Sequence, residues 1–390
     1  MRVAVIGGGI GGLAVARGLQ AAGADVTVFE RSTSNAINGS GLSLFANGVR
    51  ALEALGYGEA LSSISGTSSS DIKAGQRLPN GKWLARTPEA AVSQLRIVHR
   101  VDLSEMLAAA LRPGTVWNGA DVRSVSPNGR GLLVRGTDGL DVAHHPDMVV
   151  AADGIRSAVR RAHWPDDRGL RYSGYTAWRG VTSKPVDVLG VAGETWGLGR
   201  RFGIAPLRDG RVYWFGVANA SPDTVFDNEL DTVHQMFGHW HDPIRALLDS
   251  TMPEAVFRRD IYDLASPLST FTRGAIALLG DAAHAMTPDL GQGANQALED
   301  AATLVALLAP IAGDPQPDTR AISAALRHYD ILRRPRTQAI AKRARALGGL
   351  AQLEHPFGAT IRNLAIRLTP TRAIARQMLA IQAWHPNQVF

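Results

Sequence analysis

Two glycine-rich stretches, with the acids around them, are where this chain could do chemistry. Near the start, Gly7, Gly9 and Gly12 form G-x-G-x-x-G directly after the run RVAVI, and Glu30 follows eighteen residues after Gly12. Glycines in this pattern let the backbone approach a pyrophosphate, and the N-terminus of the helix that follows stabilises its negative charge. A carboxylate such as Glu30 accepts from a ribose hydroxyl pair and disfavours a 2′-phosphate, so the motif points to NAD or FAD ahead of NADP. Far along the chain, GDAAHAMTPDLGQGANQALEDA (280–301) places Gly280, Gly291 and Gly293, together with His284, Asp281 and Asp289, ahead of a single apolar helix. Ordered glycine costs backbone entropy, so such a cluster implies that a ligand comes close to the main chain. Asp281 follows a buried strand, at the sheet edge where ligands of α/β folds bind, and can accept from a sugar-like hydroxyl. Gly291, Gln292, Gly293, Ala294 and Asn295 open a helix whose free N–H groups favour an anion. His284, beside a Gly-Asp turn, reads as a packing and hydrogen-bonding residue and not as a base.

These loops need elements to hold them. Residues 2–6 alternate and are β-branched, 11–22 read as a helix and 25–29 as a second strand, which makes a βαβ opening. In GSGLSLFANGVRALEAL a strand precedes a helix that Asn47 can cap, and Asp102 with Glu105 spells a capping box in HRVDLSEMLAAAL. DMVVAADGIRSAVRR (147–161) reads strand, turn, helix, with Asp153 as a turn former. Between about 172 and 265 the texture becomes strand-rich, with a helical patch at 227–248 and a hairpin turn at Asp209-Gly210. AIALLGD (275–281) returns to a buried strand, and the remainder is helical. The expected fold is therefore α/β: a Rossmann-like, discontinuous dinucleotide-binding domain (1–171 and 266–320, with small substrate-side strands near 72–98), interrupted by a mostly antiparallel sheet domain (172–265) and followed by C-terminal helices (321–390) packed on the first domain.

The composition bounds the alternatives. At 390 residues, with 45% hydrophobic and 19% charged residues, the chain suits a globular protein of more than one core. Zero cysteines exclude disulfides, thiolate metal sites and cysteine nucleophiles, and fit a reducing cytoplasm. The N-terminal run is strand-like and glycine-punctuated, unlike a signal peptide, and the apolar stretch 301–312, broken by Pro310, is shorter than the roughly 20 residues a bilayer requires. The net charge of +6 is local, since residues 320–376 hold twelve Lys or Arg against Asp330 and Glu354. Without aromatic interleaving, this basic tail reads as a solvated helical face and not a nucleic-acid surface.

Taken together, Gly7-x-Gly9-x-x-Gly12 with Glu30, the Asp153-Gly154-Ile155-Arg156-Ser157 run, and Gly280-Asp281-Ala282-Ala283-His284 with Pro288 and Gly291-Gln292-Gly293 resemble the single-component FAD-dependent aromatic hydroxylases, the p-hydroxybenzoate hydroxylase fold. The resemblance spans nearly the whole chain. It implies a bound FAD, NADH or NADPH as cosubstrate, and oxygen insertion from O2 through a flavin C4a-hydroperoxide into an aromatic small molecule. It implies cofactor contacts at Ile10, Gly11, Arg31, Gly41, Leu42 and Arg100 beside the glycine-loop residues, and a role for Asp153 in holding the pyrophosphate side. A monomer or homodimer is expected, with no nucleic-acid partner.

The family's chemistry demands an electron-rich carbon and a dry pocket. GLGRRFGIAP, GRVYWF and TPDLGQG look like the subgroup of FAD-dependent urate hydroxylases, whose substrate-contacting arginine, tyrosine and aspartate fall on Arg201, Tyr213 and Asp289. Arg201 would stabilise a substrate anion, Tyr213 would orient it and Asp289 would position the reacting edge. Read without the family, Tyr213 and Trp214 are core strand aromatics. A flavin epoxidase of lipophilic substrates, a flavin-linked reductase and an electron relay are the alternatives. A flavin halogenase lacks support, because Trp178 stands alone in AWRG where W-x-W-x-I-P is expected.

Overall fold

The computed structural model describes residues 1–33, 40–65 and 73–389. Its first layer is a six-stranded sheet ordered Thr272–Arg273, Ile276–Leu278, Met148–Ala151, Arg2–Ile6, Asp25–Glu30, Val116–Asn118, parallel except for the Thr272–Arg273 edge. The central strands are continuous apolar runs because both faces are covered, as parallel sheets require. Helices Ile10–Ala21 and Gly293–Ala312 pack closely, and Gly18 permits it: a Cβ there would lie 2.6 Å from Val305. The second helix continues through Pro310 into its last turn, where the sequence suggests a break.

The second layer is a seven-stranded sheet ordered Phe257–Leu264, Leu170–Val181, Val212–Asn219, Arg200–Pro206, Val191–Trp196, Lys73–Arg77, Trp83–Arg86. It is antiparallel except where Val191–Trp196 runs parallel to Lys73–Arg77. Alternation divides its faces. Trp178, Phe202 and Trp214 turn outward into a second core with Phe237 and Ile244, from helices Glu229–Phe237 and Ile244–Asp249. Ala177, Tyr213, Phe215 and Val217 turn inward to the space between the layers. The hairpin turn at Asp209-Gly210 forms between Arg200–Pro206 and Val212–Asn219, with Gly210 at φ +80°.

Several local expectations are corrected. The helix Ala46–Ala54 begins after Phe45, so Asn47 lies inside it, fully buried, and hydrogen-bonds across to Gln292 and Glu299 instead of capping. The helix Arg100–Ala109 starts two residues before Asp102 and has no side-chain cap, so the capping box does not form. The strands expected near 72–98 divide: Lys73–Arg77 and Trp83–Arg86 extend the seven-stranded sheet, while Arg96–His99 pairs with Gly41–Leu44; residue 72 lies outside the described residues. The tail does not sit on the first layer alone. Helix Thr319–Ala351 packs on Gly293–Ala312 at one end, and at the other Ala351 joins Leu84 and Trp196 of the seven-stranded sheet. The basic residues of the tail are not simply solvated, since Arg333 and Arg362 are buried and Arg345 pairs with Asp263 at 2.7 Å. Among the described residues, no helix is long and apolar enough to cross a membrane.

Candidate active site between the two sheets

The first glycine loop is shaped by what side chains would hit. Gly7 has φ +102°, and a Cβ there would lie 2.4 Å from the Ala152 carbonyl; one at Gly12 would lie 2.0 Å from the carbonyl of Gly7. Around Gly9, the N-cap of Ile10–Ala21, a Cβ would meet nothing within 4 Å, and no side chain caps the helix. That leaves backbone N–H groups facing open space at the positive end of a helix, which suits a phosphate. Glu30 braces the loop: one carboxylate oxygen accepts from Gly8 N and the other from Ser32 N, both at 2.7 Å. Gly8 and Glu30 also line a cavity of about 270 Å³, on the side of the loop where a ribose hydroxyl would reach the carboxylate. Arg31 is exposed and lines neither this cavity nor the larger one. Asp153 supports the start of the helix Ala158–His163, which Ser157 caps, by accepting from Ala158 N at 2.8 Å.

The larger cavity, about 630 Å³, runs from Gly9, Ile10, Gly11 and Gly12 to the inner face of the seven-stranded sheet. Gly41, Leu42 and Arg100 form one wall; Asp281, Gly291, Gly293 and Ala294 form another. Burial lowers the pKa of Arg100, while the Asp281 carboxylate raises it. Gly280 (φ +62°) and Gly291 (φ +62°) hold left-handed turns that aim the strand end and the helix start at the cavity, and a Cβ at Gly293 would meet only Asp281, at 3.9 Å. Asn295 does not line the cavity. Its side chain ties the helix to the neighbouring strand by donating to Ser43 O and accepting from Phe45 N, each at 2.9 Å.

Behind these glycines lies a buried polar network that the sequence did not announce. Asp300 accepts from Gly280 N at 3.0 Å and from Arg333 Nε at 2.7 Å, and shares a 2.6 Å hydrogen bond with His284 Nε2. Burial alone would raise the Asp300 pKa, yet His284 and Arg333 outweigh it and hold the group at about 2. Glu299, also lowered against burial by Arg333 and Arg336, accepts from Asn47 at 2.6 Å. His284 is therefore engaged beneath the loop, away from the cavity.

At the sheet end, Arg201 and Asp289 meet directly, Nη2 to Oδ1 at 2.6 Å, both buried. Tyr175 donates to the other oxygen of Asp289 at 2.7 Å, Gln352 accepts from Arg201 Nε at 2.8 Å, and Glu194 lies 3.4 Å from Nη1. Burial works against the Arg201 charge, but Glu194 and Asp289 raise its pKa overall. Tyr213 is packed over Gly41, where a Cβ would lie 2.4 Å from its ring, and burial raises its pKa while Arg179 pulls it down. The three residues expected on the substrate side thus share one cavity, although Arg201 is already satisfied by carboxylates of its own chain. Tyr175, Glu194, Gln352 and Arg333 were not foreseen. Only Tyr175, two residues before Ala177 on an alternating strand, carried a usable signal.

The cavity can hold a dinucleotide against the first loop, a ring system at the second, and a small planar molecule under the sheet. The glycine positions with clear space at Gly9, Gly154 and Gly293 fit the pyrophosphate and flavin of FAD. Comparison with known proteins agrees. A family described as an FAD binding domain matches residues 1–344. The chain is 34% identical to the aurachin C monooxygenase/isomerase of Stigmatella aurantiaca, covering 94% of each chain. It is also 34% identical to the 3-amino-4-hydroxybenzoate 2-monooxygenase of Streptomyces cremeus, covering 95% of this chain and 92% of that one. Among solved structures, Klebsiella pneumoniae HpxO complexed with FAD and uric acid superposes with a TM-score of 0.85 at 27% identity, covering 98% of this chain and 97% of the other.

Proposed function

The chain belongs to the FAD binding domain family of flavoprotein monooxygenases, and from that premise we propose that it uses NADH or NADPH and O2 to hydroxylate an aromatic or heteroaromatic small molecule bound beneath the seven-stranded sheet. One observation above others supports this: both glycine loops and the Arg201–Asp289 pair open into a single cavity. The loop residues Gly9 and Gly12 with Arg100 would hold the ADP half, Asp281 the ribityl chain, and the helix start at Gly293 and Ala294 the ring. When bound and reduced, FAD supplies the activated oxygen that attacks an electron-rich ring carbon.

The protein's own part is positional. Tyr213, whose raised pKa keeps its hydroxyl protonated, would donate to the substrate's ionised oxygen, which is the form that makes the ring nucleophilic. The Arg201–Asp289 pair gives a fixed polar edge against which the substrate orients. Phe215, Val217 and Phe257 line the sheet side and exclude water from the reacting carbon.

The experiment is consumption of O2 and of NADH or NADPH by the purified holoenzyme across urate, phenols, hydroxybenzoates, hydroxypyridines and quinolones, with product masses read in parallel. A compound that accelerates consumption and gains one oxygen atom supports the proposal. Consumption that no compound accelerates, or that yields only hydrogen peroxide, overturns it.

A further inference from the structure

Two arginines on the cavity face of the seven-stranded sheet have no carboxylate partner among the described residues. Arg179 lies on Leu170–Val181 and Arg259 on the adjacent Phe257–Leu264; both line the large cavity. In the register of these antiparallel strands Arg179 faces Phe257 and Ala177 faces Arg259, so the two arginines are diagonal neighbours on one face, within reach of a common group. The contrast with the other face is sharp. Arg258 turns outward and is held by Glu229 at 3.1 Å and Asp260 at 2.8 Å, whereas among the described residues the Arg259 side chain donates to the Arg258 carbonyl, at 3.4 Å. Arg201 is answered by Asp289 and Glu194, and Arg100, which feels the Asp281 charge, is proposed to hold FAD, so the cavity cations with no other assigned role are Arg179 and Arg259.

The same register fixes how far this charge sits from the Arg201–Asp289 pair. Arg201, Val217, Ala177 and Arg259 form one row across four strands. Three strand spacings put the ends of the row about 14 Å apart at ~4.8 Å per strand. Between them the surface is apolar, Val217 and Ala177 in that row and Phe215 in the next, where it leans across Gly203. A planar ring lying on Phe215 and Val217 would have the Arg201–Asp289 pair at one edge and, at the other, Arg259 and Arg179, the latter also touching the Tyr213 hydroxyl.

We propose that Arg179 and Arg259 form an anion subsite that takes the carboxylate of an aromatic acid, so that the substrate is a hydroxylated arene or heteroarene bearing a carboxylate at the end away from Arg201. Two guanidinium forks suit a carboxylate, and a site built for a charged group discriminates strongly against the ligand that lacks it. The proposal rests on the aromatic hydroxylase reading and names its substrate class. A phosphate of the nicotinamide cosubstrate offers a related anionic chemistry, and the test separates the two.

The test is binding to the oxidised holoenzyme, followed by the change in flavin absorbance, for matched pairs: hydroxybenzoates and hydroxypyridine carboxylates against the same rings carrying a carboxamide or hydrogen. The acids are expected to bind at least about tenfold more tightly than their neutral partners. Arg259→Gln and Arg179→Gln should each erase most of that difference while FAD content stays at the wild-type level, and Arg259→Lys should restore part of it. Acids and neutral partners binding equally well to the wild type would overturn the subsite. So would substitutions that raise the KM for NADH or NADPH and leave acid binding unchanged, which would assign the cations to the cosubstrate. If no aromatic compound of either kind perturbs the flavin or accelerates turnover, the hydroxylase reading itself fails, an outcome distinct from the loss of the subsite alone.

Discussion

At the scale of single residues, the Arg201–Asp289 pair decides most. Both members are buried and 2.6 Å apart, so removing one leaves a desolvated charge without its main partner, at a cost of about 3–5 kcal/mol. We expect Asp289→Asn to lower the melting temperature and to cut substrate-stimulated turnover by about a hundredfold, since misplacing a positioned group by an ångström has effects of that order. FAD should stay bound in both Asp289→Asn and Arg201→Ala, because neither side chain is among those proposed to hold it. Absorbance of the bound flavin and steady-state rates check this, and unchanged turnover in Arg201→Ala would remove Arg201 from the site. Arg201, Tyr213 and Asp289 were legible only through the family's pattern, for nothing in their own spacing joins positions 88 residues apart. Of the partners that satisfy them, Tyr175 could be placed on the inner face by strand alternation, but Gln352 could not, because its contact arises from tertiary packing and leaves no local periodicity.

At the scale of elements, the long tail helix Thr319–Ala351 is the least expected participant. Arg333 reaches from it to Glu299 and Asp300, and Asp300 in turn holds Gly280 N, so the helix fastens the second glycine loop from below. Both carboxylates have depressed pKa values, Asp300 at about 2. A depressed carboxylate stabilises the fold above its unfolded pKa, near 4, and that contribution disappears as pH falls toward the folded value. We therefore expect Arg333→Met to be less stable than wild type at neutral pH, and the gap in unfolding free energy to narrow as pH drops below about 4. A constant gap in chemical denaturation across that range would contradict the network. Further along the same helix, a Cβ on Gly348 would lie 2.4 Å from Asp289 Oδ2 and 3.1 Å from the Tyr175 hydroxyl. Gly348→Ala should push the carboxylate off Arg201 and weaken substrate binding, read as a raised KM, although alanine favours the helix itself. The helical character of the tail was plain in its sequence. Its role was not, because a basic helical face looks the same whether its arginines meet water or buried acids.

At the scale of the whole molecule, two sheets enclose one cavity, and the chain passes from the six-stranded sheet to the seven-stranded one and back twice before the tail joins both. The interrupted α/β plan could be read from the change between buried apolar runs and alternating strands. The two strands at 73–77 and 83–86 were harder, since KAGQR and WLAR are short and mixed in polarity. They join the seven-stranded sheet where Gly75 and Gly193 come so close that a Cβ on Gly193 would lie 2.1 Å from the Gly75 carbonyl. A ligand spanning the interface should stabilise the assembly: FAD at a hundred times its Kd adds about 2.7 kcal/mol. Stripping FAD should lower the melting temperature, and adding it back should restore the value.

The proposed reaction puts one atom of O2 into an aromatic ring. The most direct measurement is turnover of an accelerating substrate under 18O2, with the product mass analysed, and a parallel reaction in H2 18O under ordinary O2. A flavoprotein monooxygenase leaves a single labelled oxygen in the product from 18O2 and none from labelled water. Product carrying label from water, or NAD(P)H oxidation with no labelled product, would contradict it.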